Sequence, residues 1–338
     1  MIELISKNKK QYKANLHCHS TLSDGKLTPE QLKTAYREHG YSILAITDHE
    51  YPHSHTHLSQ DDFMMLTGYE IYIRLTPKID PFAPEVHLNL FAKEPENLKF
   101  ICYNREYCKY VPKDEFEKLV RVGSERPRQY TPEYIQEVID TAIENGYMVA
   151  YNHPCWSLEE YDYIMSYKNC FSMEMCNYGS FVKNRYEHNE WLYDTMLRHG
   201  MRIFCHGSDD NHNTVPLDHY LSDSFGAFTM IYPENFEYGS VIKALEKGEF
   251  YSSMGPTIEY LAIDPKNKKA HIEASGGVQI IMNDGSKRQG CIANADGSLV
   301  CGGSFNIPDE AKYLRFTVID EKGRTADTRG YFRDEWDK

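Results

Sequence analysis

Short apolar segments that end in histidine or a carboxylate recur along the first 255 residues, and this feature most constrains the fold. Each segment is long enough for one β-strand, and several are followed by an amphipathic helical pattern. Alternation of this kind predicts an α/β fold with a parallel sheet or a barrel. In such folds the C-terminal ends of the strands meet at one edge, where active sites form. The side chains at or beside these ends are His17, His19, Asp24, Asp48, His49, Glu70, His87, His153, Asp209, Asp210 and His212.

Threonine, proline and glycine mark the helices between these segments. Thr28-Pro29 predicts an N-cap followed by the first helical position, and Gly40 fits the end of that helix. Thr131-Pro132 predicts a second helix with one apolar face, and a third is expected over residues 189–199. We expect strands over residues 12–17, 42–47, 147–151 and 202–205.

The pattern changes at two places and thereby predicts the domain organisation. Residues 93–130 break the alternation, so we predict an insertion there, a candidate lid over the site. After Gly255-Pro256, short strand-like runs are separated by turn sequences such as Asn283-Asp-Gly. We therefore predict an α/β domain over residues 1–255 and a small antiparallel, β-sandwich-like domain over residues 256–338.

Composition narrows the classes of partner. A net charge of −13 argues against a long nucleic-acid partner, which needs a basic face. No apolar run reaches the roughly 18 residues that span a bilayer, so no membrane partner is expected. The N-terminal segment does not resemble a signal peptide, which favours the cytoplasm. The cysteines, including Cys18, form no Cys-x-x-Cys pair, so buried thiols are expected rather than disulfides.

Two histidines of the first strand suggest a metal site. Side chains alternate along an extended chain, so His17 and His19 point to the same side, as paired metal ligands can. Taken alone, this pair is explained better by two ordinary surface histidines than by a metal site. The joint pattern of imidazoles and carboxylates at successive strand ends favours a site with several metal ions. Such ligands suit Mn, Fe or Zn, and the sequence does not choose among them.

Several motifs together resemble the PHP (polymerase and histidinol phosphatase) family over residues 1–255. They are His17-x-His19, Thr47-Asp48-His49, Glu70, Asn152-His153-Pro154 and Gly207-Ser-Asp-Asp-Asn-His212. The resemblance implies a distorted (β/α)7 barrel of TIM type with two or three divalent metal ions at its C-terminal edge. It also implies a ligand set, which is His17, His19, Asp24, His49, Glu70, His87, His153, Asp209 and His212.

The resemblance further implies how these ligands divide among three metal ions. One ion would be bound by His17, His19, Glu70 and Asp209. A second would be bound by Asp24, His49 and His212, and a third by Glu70, His87 and His153. Glu70 would then bridge two ions. Asp210 is the alternative to Asp209, because the family motif often reads Asp-x-His, and Asp48 would orient neighbouring ligands.

These features predict a hydrolase that acts on phosphate esters. Clustered divalent ions generate hydroxide from water at neutral pH, and the sequence has no GxSxG or P-loop pattern. We expect hydrolysis of a small, anionic phosphorylated metabolite or nucleotide. The residues that act through metal-bound water would be His17, His19, Asp24, Glu70, His153 and Asp209. The alternatives are an oligonucleotide-trimming nuclease, a non-catalytic binding module with structural metals, and C–N hydrolysis as in the amidohydrolases.

Two further sets of residues are weaker candidates for binding. His53, His55 and His57 alternate within one loop, and a solvated loop near the site explains them better than a ligand set does. A guanidinium group suits phosphate, although each arginine alone also fits a surface charge. The candidate arginines are Arg74, Arg105, Arg126, Arg128 and Arg185.

Overall fold

The computed structural model describes residues 1–76, 78–123 and 125–337. The helices are α1 (Pro29–Glu38), α2 (Pro132–Glu144), α3 (Tyr161–Ile164), α4 (Tyr178–Asn184), α5 (Glu190–Arg198), α6 (Tyr238–Lys247) and α7 (Arg333–Trp336), with short 3-10 helices at Thr56–Leu58 and Phe116–Lys118. The strands up to residue 255 are β1 (Ile2–Ile5), β2 (Tyr12–Asn15), β3 (Ile43–Ile46), β4 (Met64–Arg74), β5 (Glu85–Ala92), β6 (Lys99–Ile101), β7 (Val120–Val122), β8 (Tyr147–Tyr151), β9 (Ser172–Asn177), β10 (Phe204–Ser208), β11 (Phe228–Ile231) and β12 (Phe250–Ser253). The remaining strands are β13 (Ile258–Asp264), β14 (Lys269–Gly277), β15 (Gln279–Asn283), β16 (Gly290–Ile292), β17 (Val300–Asn306), β18 (Tyr313–Ile319), β19 (Thr325–Thr328) and β20 (Tyr331–Phe332).

The predicted helix signals are confirmed. The Thr28 hydroxyl accepts a hydrogen bond from the Gln31 backbone N–H, and the Gln31 side chain accepts one from the Thr28 N–H, which together cap α1. Thr131 caps α2, whose apolar face is fully buried at Ile135 and Val138.

In the described part of the chain, no helix has the length and apolar character needed to cross a bilayer.

One large sheet dominates the fold and confirms its α/β character. Its strand order is β10-β9-β8-β5-β4-β3-β2-β11-β12-β19-β18-β15-β16, with β20 beside β18. Strands β2, β3 and β4 are parallel, and so are β8, β9 and β10. Between the two groups, β5 is antiparallel to both β4 and β8. The expected strand–helix alternation therefore fails at β4–β5, because the short, proline-rich link of residues 75–84 leaves no room for a crossover helix.

A closed (β/α)7 barrel is not found among the described residues. Strand β10 lies beside β11, but a side chain rather than a backbone ladder connects them. The Thr229 hydroxyl accepts from the Gly207 N–H at 3.3 Å and donates to the Gly207 carbonyl at 2.8 Å. A Cβ atom at Gly207 would lie 2.9 Å from the Phe228 carbonyl oxygen, so only glycine permits this approach. Beyond the strands, an isolated bridge between Cys18 and Asn211 brings the segments that follow β2 and β10 together.

The C-terminal part is rich in antiparallel strands, as predicted. Strands β13, β14 and β17 form a second sheet with β1, which comes from the N-terminus of the chain. Strand β19 pairs with β12, so the remaining C-terminal strands continue the large sheet. A shared apolar core lies between the two sheets. The division into domains at residue 255 stays a prediction.

The segment 93–130 is anchored by a buried ion pair. The Arg128 guanidinium donates to the Glu50 carboxylate, with Nη2 and Oε2 2.8 Å apart, and both side chains are fully buried. Arg128 also donates to the Tyr72 carbonyl oxygen at 2.6 Å. Arg128 thus makes its hydrogen bonds within the fold. It is therefore not available to bind phosphate, the role for which the sequence analysis considered it.

Candidate metal centre

Strands β4 and β5, together with the segments that follow β2, β3, β8 and β10, bring a cluster of imidazoles and carboxylates together. Groups of three or four of these side chains place their ligand atoms within 4.8 Å of one another. The cluster members are His17, His19, Asp24, His49, Glu70, His87, His153, Asp210 and His212. With the exception of Asp209, every residue of the predicted ligand set lies in this cluster.

Glu70 occupies the middle of the cluster and faces two groups of imidazoles. Its Oε1 lies 3.2 Å from Nε2 of His17 and 3.1 Å from Nδ1 of His87. Its Oε2 lies 2.9 Å from Nδ1 of His49 and 3.5 Å from Nε2 of His19. The side chain is buried within the long strand β4. Each oxygen of this carboxylate therefore faces imidazole nitrogens, which are also possible metal ligands.

Asp24 brings the outer part of the cluster together. Its Oδ1 lies 3.4 Å from Nε2 of His212 and 3.9 Å from Nδ1 of His19, and its Oδ2 lies 3.8 Å from Nε2 of His49. Asp24 and His212 are partly exposed, whereas His19 is fully buried. This group opens towards the pocket above the strand ends.

The structure places Asp210, not Asp209, in the cluster, which corrects the preferred sequence prediction. Oδ1 of Asp210 lies 3.0 Å from Nε2 of His19 and 3.2 Å from Nε2 of His17. Asp209 turns the other way and accepts backbone N–H groups from Phe225, Gly226 and Ala227 at 2.7 to 3.0 Å. The chain adopts a left-handed conformation at Asp210, with φ of 51°, so consecutive carboxylates point in different directions. The spacing of the motif alone does not reveal this turn.

The polar atoms of the cluster fit divalent metal ions. Four of them are buried without a hydrogen-bond partner: Nδ1 of His19, Nδ1 of His49, Oε2 of Glu70 and Nε2 of His87. The His49 and Glu70 atoms are 2.9 Å apart but are not aligned for a hydrogen bond. Buried polar atoms rarely lack partners in proteins, and nitrogen and oxygen donors at this spacing can bind a cation.

The pKa values of two cluster histidines differ because of their surroundings. Burial, together with the neighbouring His212 and His49, lowers the pKa of His19 to about 4, which leaves its ring neutral and able to donate a lone pair. Burial also lowers the pKa of His87, but Glu70 and Glu85 outweigh it and raise that pKa to about 10. A metal ion at His87 would therefore have to displace a proton.

Glu174 is a functional residue that the sequence analysis missed. Its Oε1 accepts hydrogen bonds from Nδ1 of His17 at 2.8 Å and from the Ser208 hydroxyl at 2.6 Å. Its Oε2 accepts the His153 backbone N–H at 2.8 Å. Burial raises the pKa of Glu174, but the charge and hydrogen bond of His17 outweigh it and lower that pKa to about 2. A carboxylate inside the apolar strand β9 was the signal available in the sequence.

Asp48 orients the loop that carries Asp24, in keeping with its predicted supporting role. Its carboxylate accepts the Ser20 backbone N–H at 2.8 Å and the Ser20 hydroxyl at 2.6 Å. It also accepts the Ser23 hydroxyl, one residue before Asp24. Asp48 itself is buried and lies outside the groups of ligand atoms.

A pocket above the cluster provides room for a substrate. Of the five candidate arginines, Arg74 is the one that lines it in the described part of the chain, and its guanidinium pairs with Glu85. Lys183 of α4 lines the opposite part with a side chain that is 46% exposed. Trp156 borders the pocket and packs against His153 and His87. The described residues of segment 93–130 do not line this pocket, so its role as a lid stays a prediction.

The loop histidines His53, His55 and His57 contact one another instead of joining the cluster. Their ring centroids are 4.8 Å apart for the first pair and 6.3 Å apart for the second. None of the three belongs to a group of ligand atoms among the described residues.

Comparison with known proteins identifies the same family that the sequence motifs resemble. The family model of the PHP domain matches residues 15–194, more than half of the chain, and the chain therefore belongs to the PHP domain family. No curated protein matches the chain significantly.

Solved structures with a similar arrangement share little sequence with this chain. A two-domain protein from Bacteroides vulgatus, containing a predicted PHP-like metal-dependent phosphoesterase, is 13% identical, with 96% of each chain covered and a TM-score of 0.44. A protein from Bifidobacterium adolescentis, described as a metal-dependent phosphoesterase, is 17% identical. An amidohydrolase from Chromobacterium violaceum with bound sulfate is also 17% identical. For each of the last two, 59% of this chain and 87% of the other are covered, with a TM-score of 0.36.

Proposed function

We propose that this protein is a metal-dependent phosphoesterase that hydrolyses a small phosphorylated metabolite or nucleotide. The observation that carries the proposal is the position of Glu70, a buried carboxylate between two groups of imidazoles at the floor of an open pocket. Family membership supports the same chemistry. We further propose that the α/β part is a distorted barrel of the PHP type.

The proposed centre contains two to three divalent ions, of Mn, Fe or Zn. Bound ions would supply an activated water and neutralise charge on the phosphoryl group. Following the division that the family resemblance implies, a first ion would be bound by His17, His19, Glu70 and Asp210, a second by Asp24, His49 and His212, and a third by Glu70, His87 and His153. Asp210 replaces Asp209 in this assignment because of the direction of its carboxylate.

The protein itself contributes orientation to the proposed reaction. Glu174 accepts the Nδ1 proton of His17 and thereby leaves Nε2 of that ring facing Glu70 and Asp210. Asn152 donates to Oε1 of Glu70 at 2.7 Å and limits the rotation of that carboxylate. Lys183 places a cation at the pocket wall, where it can attract a phosphate group.

A hydrolysis assay tests the proposal. We expect the protein loaded with Mn²⁺ to hydrolyse p-nitrophenyl phosphate or bis(p-nitrophenyl) phosphate, and the preferred ester would separate monoesterase from diesterase activity. The His17→Ala variant should lose at least about 100-fold in kcat/KM, because it removes a ligand and its link to Glu174. His57→Ala, at an exposed histidine outside the cluster, is the matched control.

Two results would contradict the proposed activity. Full metal occupancy with no turnover of either ester would favour a binding module or C–N hydrolysis. Equal activity of the wild type and His17→Ala would remove the cluster from the reaction.

A further inference from the structure

We propose that the C-terminal β strands position residues of the metal centre. They act through the contact of His188 with Asp327, and this assignment rests on the proposed function. Segment 187–189 lies between two parts of the protein. On one side is the turn of residues 154–156 that follows His153, which we call the metal-site turn, and on the other side is strand β19. Three sets of contacts define this connection.

The first set attaches the segment to the end of β9. The Asn189 N–H donates to the Met175 carbonyl at 2.7 Å, and the Asn177 N–H donates to the Glu187 carbonyl at 3.3 Å. Strand β9 also carries Glu174, which orients His17. The backbone of segment 187–189 therefore supports the strand end that orients a proposed ligand.

The second set connects Glu187 to the turn that follows His153. The Glu187 carboxylate is fully buried and accepts the backbone N–H groups of Trp156 at 2.7 Å and Cys155 at 3.3 Å. The ring of Trp156 in turn packs against His153, with centroids 5.0 Å apart. Movement of Glu187 would therefore move the turn that carries one ligand and part of the pocket wall.

The third set connects His188 to the C-terminal strands. Its Nε2 lies 3.0 Å from the Thr325 hydroxyl and 3.6 Å from Oδ2 of Asp327. Side chains alternate along an extended segment, so Glu187 and His188 point to opposite sides. The metal-site turn and strand β19 thus contact neighbouring residues of one short segment.

A buried ion network fixes Asp327 against the α/β part. Arg315 of β18 is only 1% exposed and contacts Oδ1 of Asp327 at 2.9 Å, Oδ1 of Asp194 at 2.8 Å and Oε1 of Glu190 at 2.8 Å. Asp194 and Glu190 belong to α5, which directly follows segment 187–189. The titratable groups around His188 are Asp327, Glu190, Arg315 and Cys176. This network contains more carboxylates than guanidinium groups. A protonated His188 would add a positive charge that offsets the excess negative charge.

Substitutions at this contact test the proposal in the full-length protein. We would measure Mn²⁺ affinity on the metal-free protein, together with kcat and KM for p-nitrophenyl phosphate. The variants are His188→Gln, Asp327→Asn and the double variant. His271→Gln is the matched control, because His271 is a partly exposed histidine of β14 whose ring contacts Ser304.

We expect each single variant to lower Mn²⁺ affinity or kcat about tenfold, with KM for the ester within about twofold of the wild-type value. The double variant should be no worse than the single ones, because both remove the same contact. The control should behave like the wild type. Should the variants fail to fold, Thr325→Val removes the hydroxyl that contacts His188 and donates to Asp327, and it should lower Mn²⁺ affinity about threefold.

The proposal would be overturned by variants that bind Mn²⁺ and turn over like the wild type while only their melting temperature falls. A wild-type protein that binds Mn²⁺ without hydrolysing the ester would reject the proposed function alone. In that case the comparison of Mn²⁺ affinities still decides whether the β strands position the centre.

Discussion

Nδ1 of His17 lies 2.8 Å from Oε1 of Glu174, and both side chains are fully buried. The same imidazole directs Nε2 towards Oε1 of Glu70 and Oδ1 of Asp210, each at 3.2 Å. A carboxylate that accepts the second ring proton fixes both the tautomer and the orientation of a histidine ligand. We therefore expect Glu174 to hold His17 in the orientation and tautomer that the proposed metal centre requires.

Replacement of Glu174 by glutamine should weaken the metal centre. The change keeps the size of the side chain but removes the negative charge that supports His17, so we expect metal affinity or kcat to fall about 10- to 100-fold. A metal titration followed by ester hydrolysis measures both quantities. Glu259→Gln, at an exposed site of β13, serves as the control. Unchanged metal affinity in Glu174→Gln would argue against a supporting role.

Substitutions of the two consecutive aspartates should affect different properties, namely metal affinity at Asp210 and stability at Asp209. Asp210→Asn should lower metal affinity at least about tenfold with little loss of stability, because Asp210 faces the imidazoles. Asp209→Asn should instead lower the free energy of unfolding by about 1–3 kcal/mol, because its carboxylate accepts three backbone N–H groups. Denaturant unfolding of the metal-free proteins and a metal titration measure the two effects. The opposite pattern would restore Asp209 as the ligand.

Gly179 lets helix α4 approach the aspartate pair. A Cβ atom there would lie 2.8 Å from the Asp209 carbonyl oxygen and 2.9 Å from that of Asp210. We expect Gly179→Ala to lower the free energy of unfolding by about 1–3 kcal/mol and to weaken metal binding, because the backbone at Asp210 must shift. Gly239→Ala is the matched control, since no atom lies within 4 Å of its added Cβ in α6. Equal stability of the two variants would contradict the close approach.

His188 should make the stability of the protein depend on pH. Burial lowers the pKa of His188, but the hydrogen bond and charge of Asp327 outweigh it and raise that pKa above its ordinary value of 6.5. The contribution of His188 to the free energy of unfolding is therefore complete at pH values below the pKa that His188 has in the unfolded protein. It is lost as the pH rises through the higher pKa that His188 has in the folded protein. The difference in unfolding free energy between wild type and His188→Gln should shrink as pH increases from about 6 to about 9. A difference that stays constant or grows over this range would show that the ring is not stabilised in its charged form.

The sequence predicted the parts of the fold that depend on local signals. Thr28 and Thr131 cap the expected helices, and the strand of residues 147–151 appears as β8. The antiparallel strand β5 was not expected, because a fully buried strand has the same apolar pattern in either direction. His87 could be named as a ligand only through the family resemblance.

The candidate site was predictable where ligand types follow apolar strands. His17, His19 and Glu70 meet as expected. The choice between Asp209 and Asp210 was not predictable, because it depends on one left-handed residue. Glu174 contacts His17 and His188 contacts Asp327, and the sequence does not reveal these pairings because the partners are distant in the chain.

The number of metal ions bound per chain tests the central claim most directly. We would load the metal-free protein with Mn²⁺, remove the excess and determine the metal content by elemental analysis, beside Asp210→Asn and His17→Ala. We expect about two to three ions per chain in the wild type and a lower number in both variants. Less than one ion per chain in the wild type, or equal content in all three proteins, would contradict a metal centre at the strand ends.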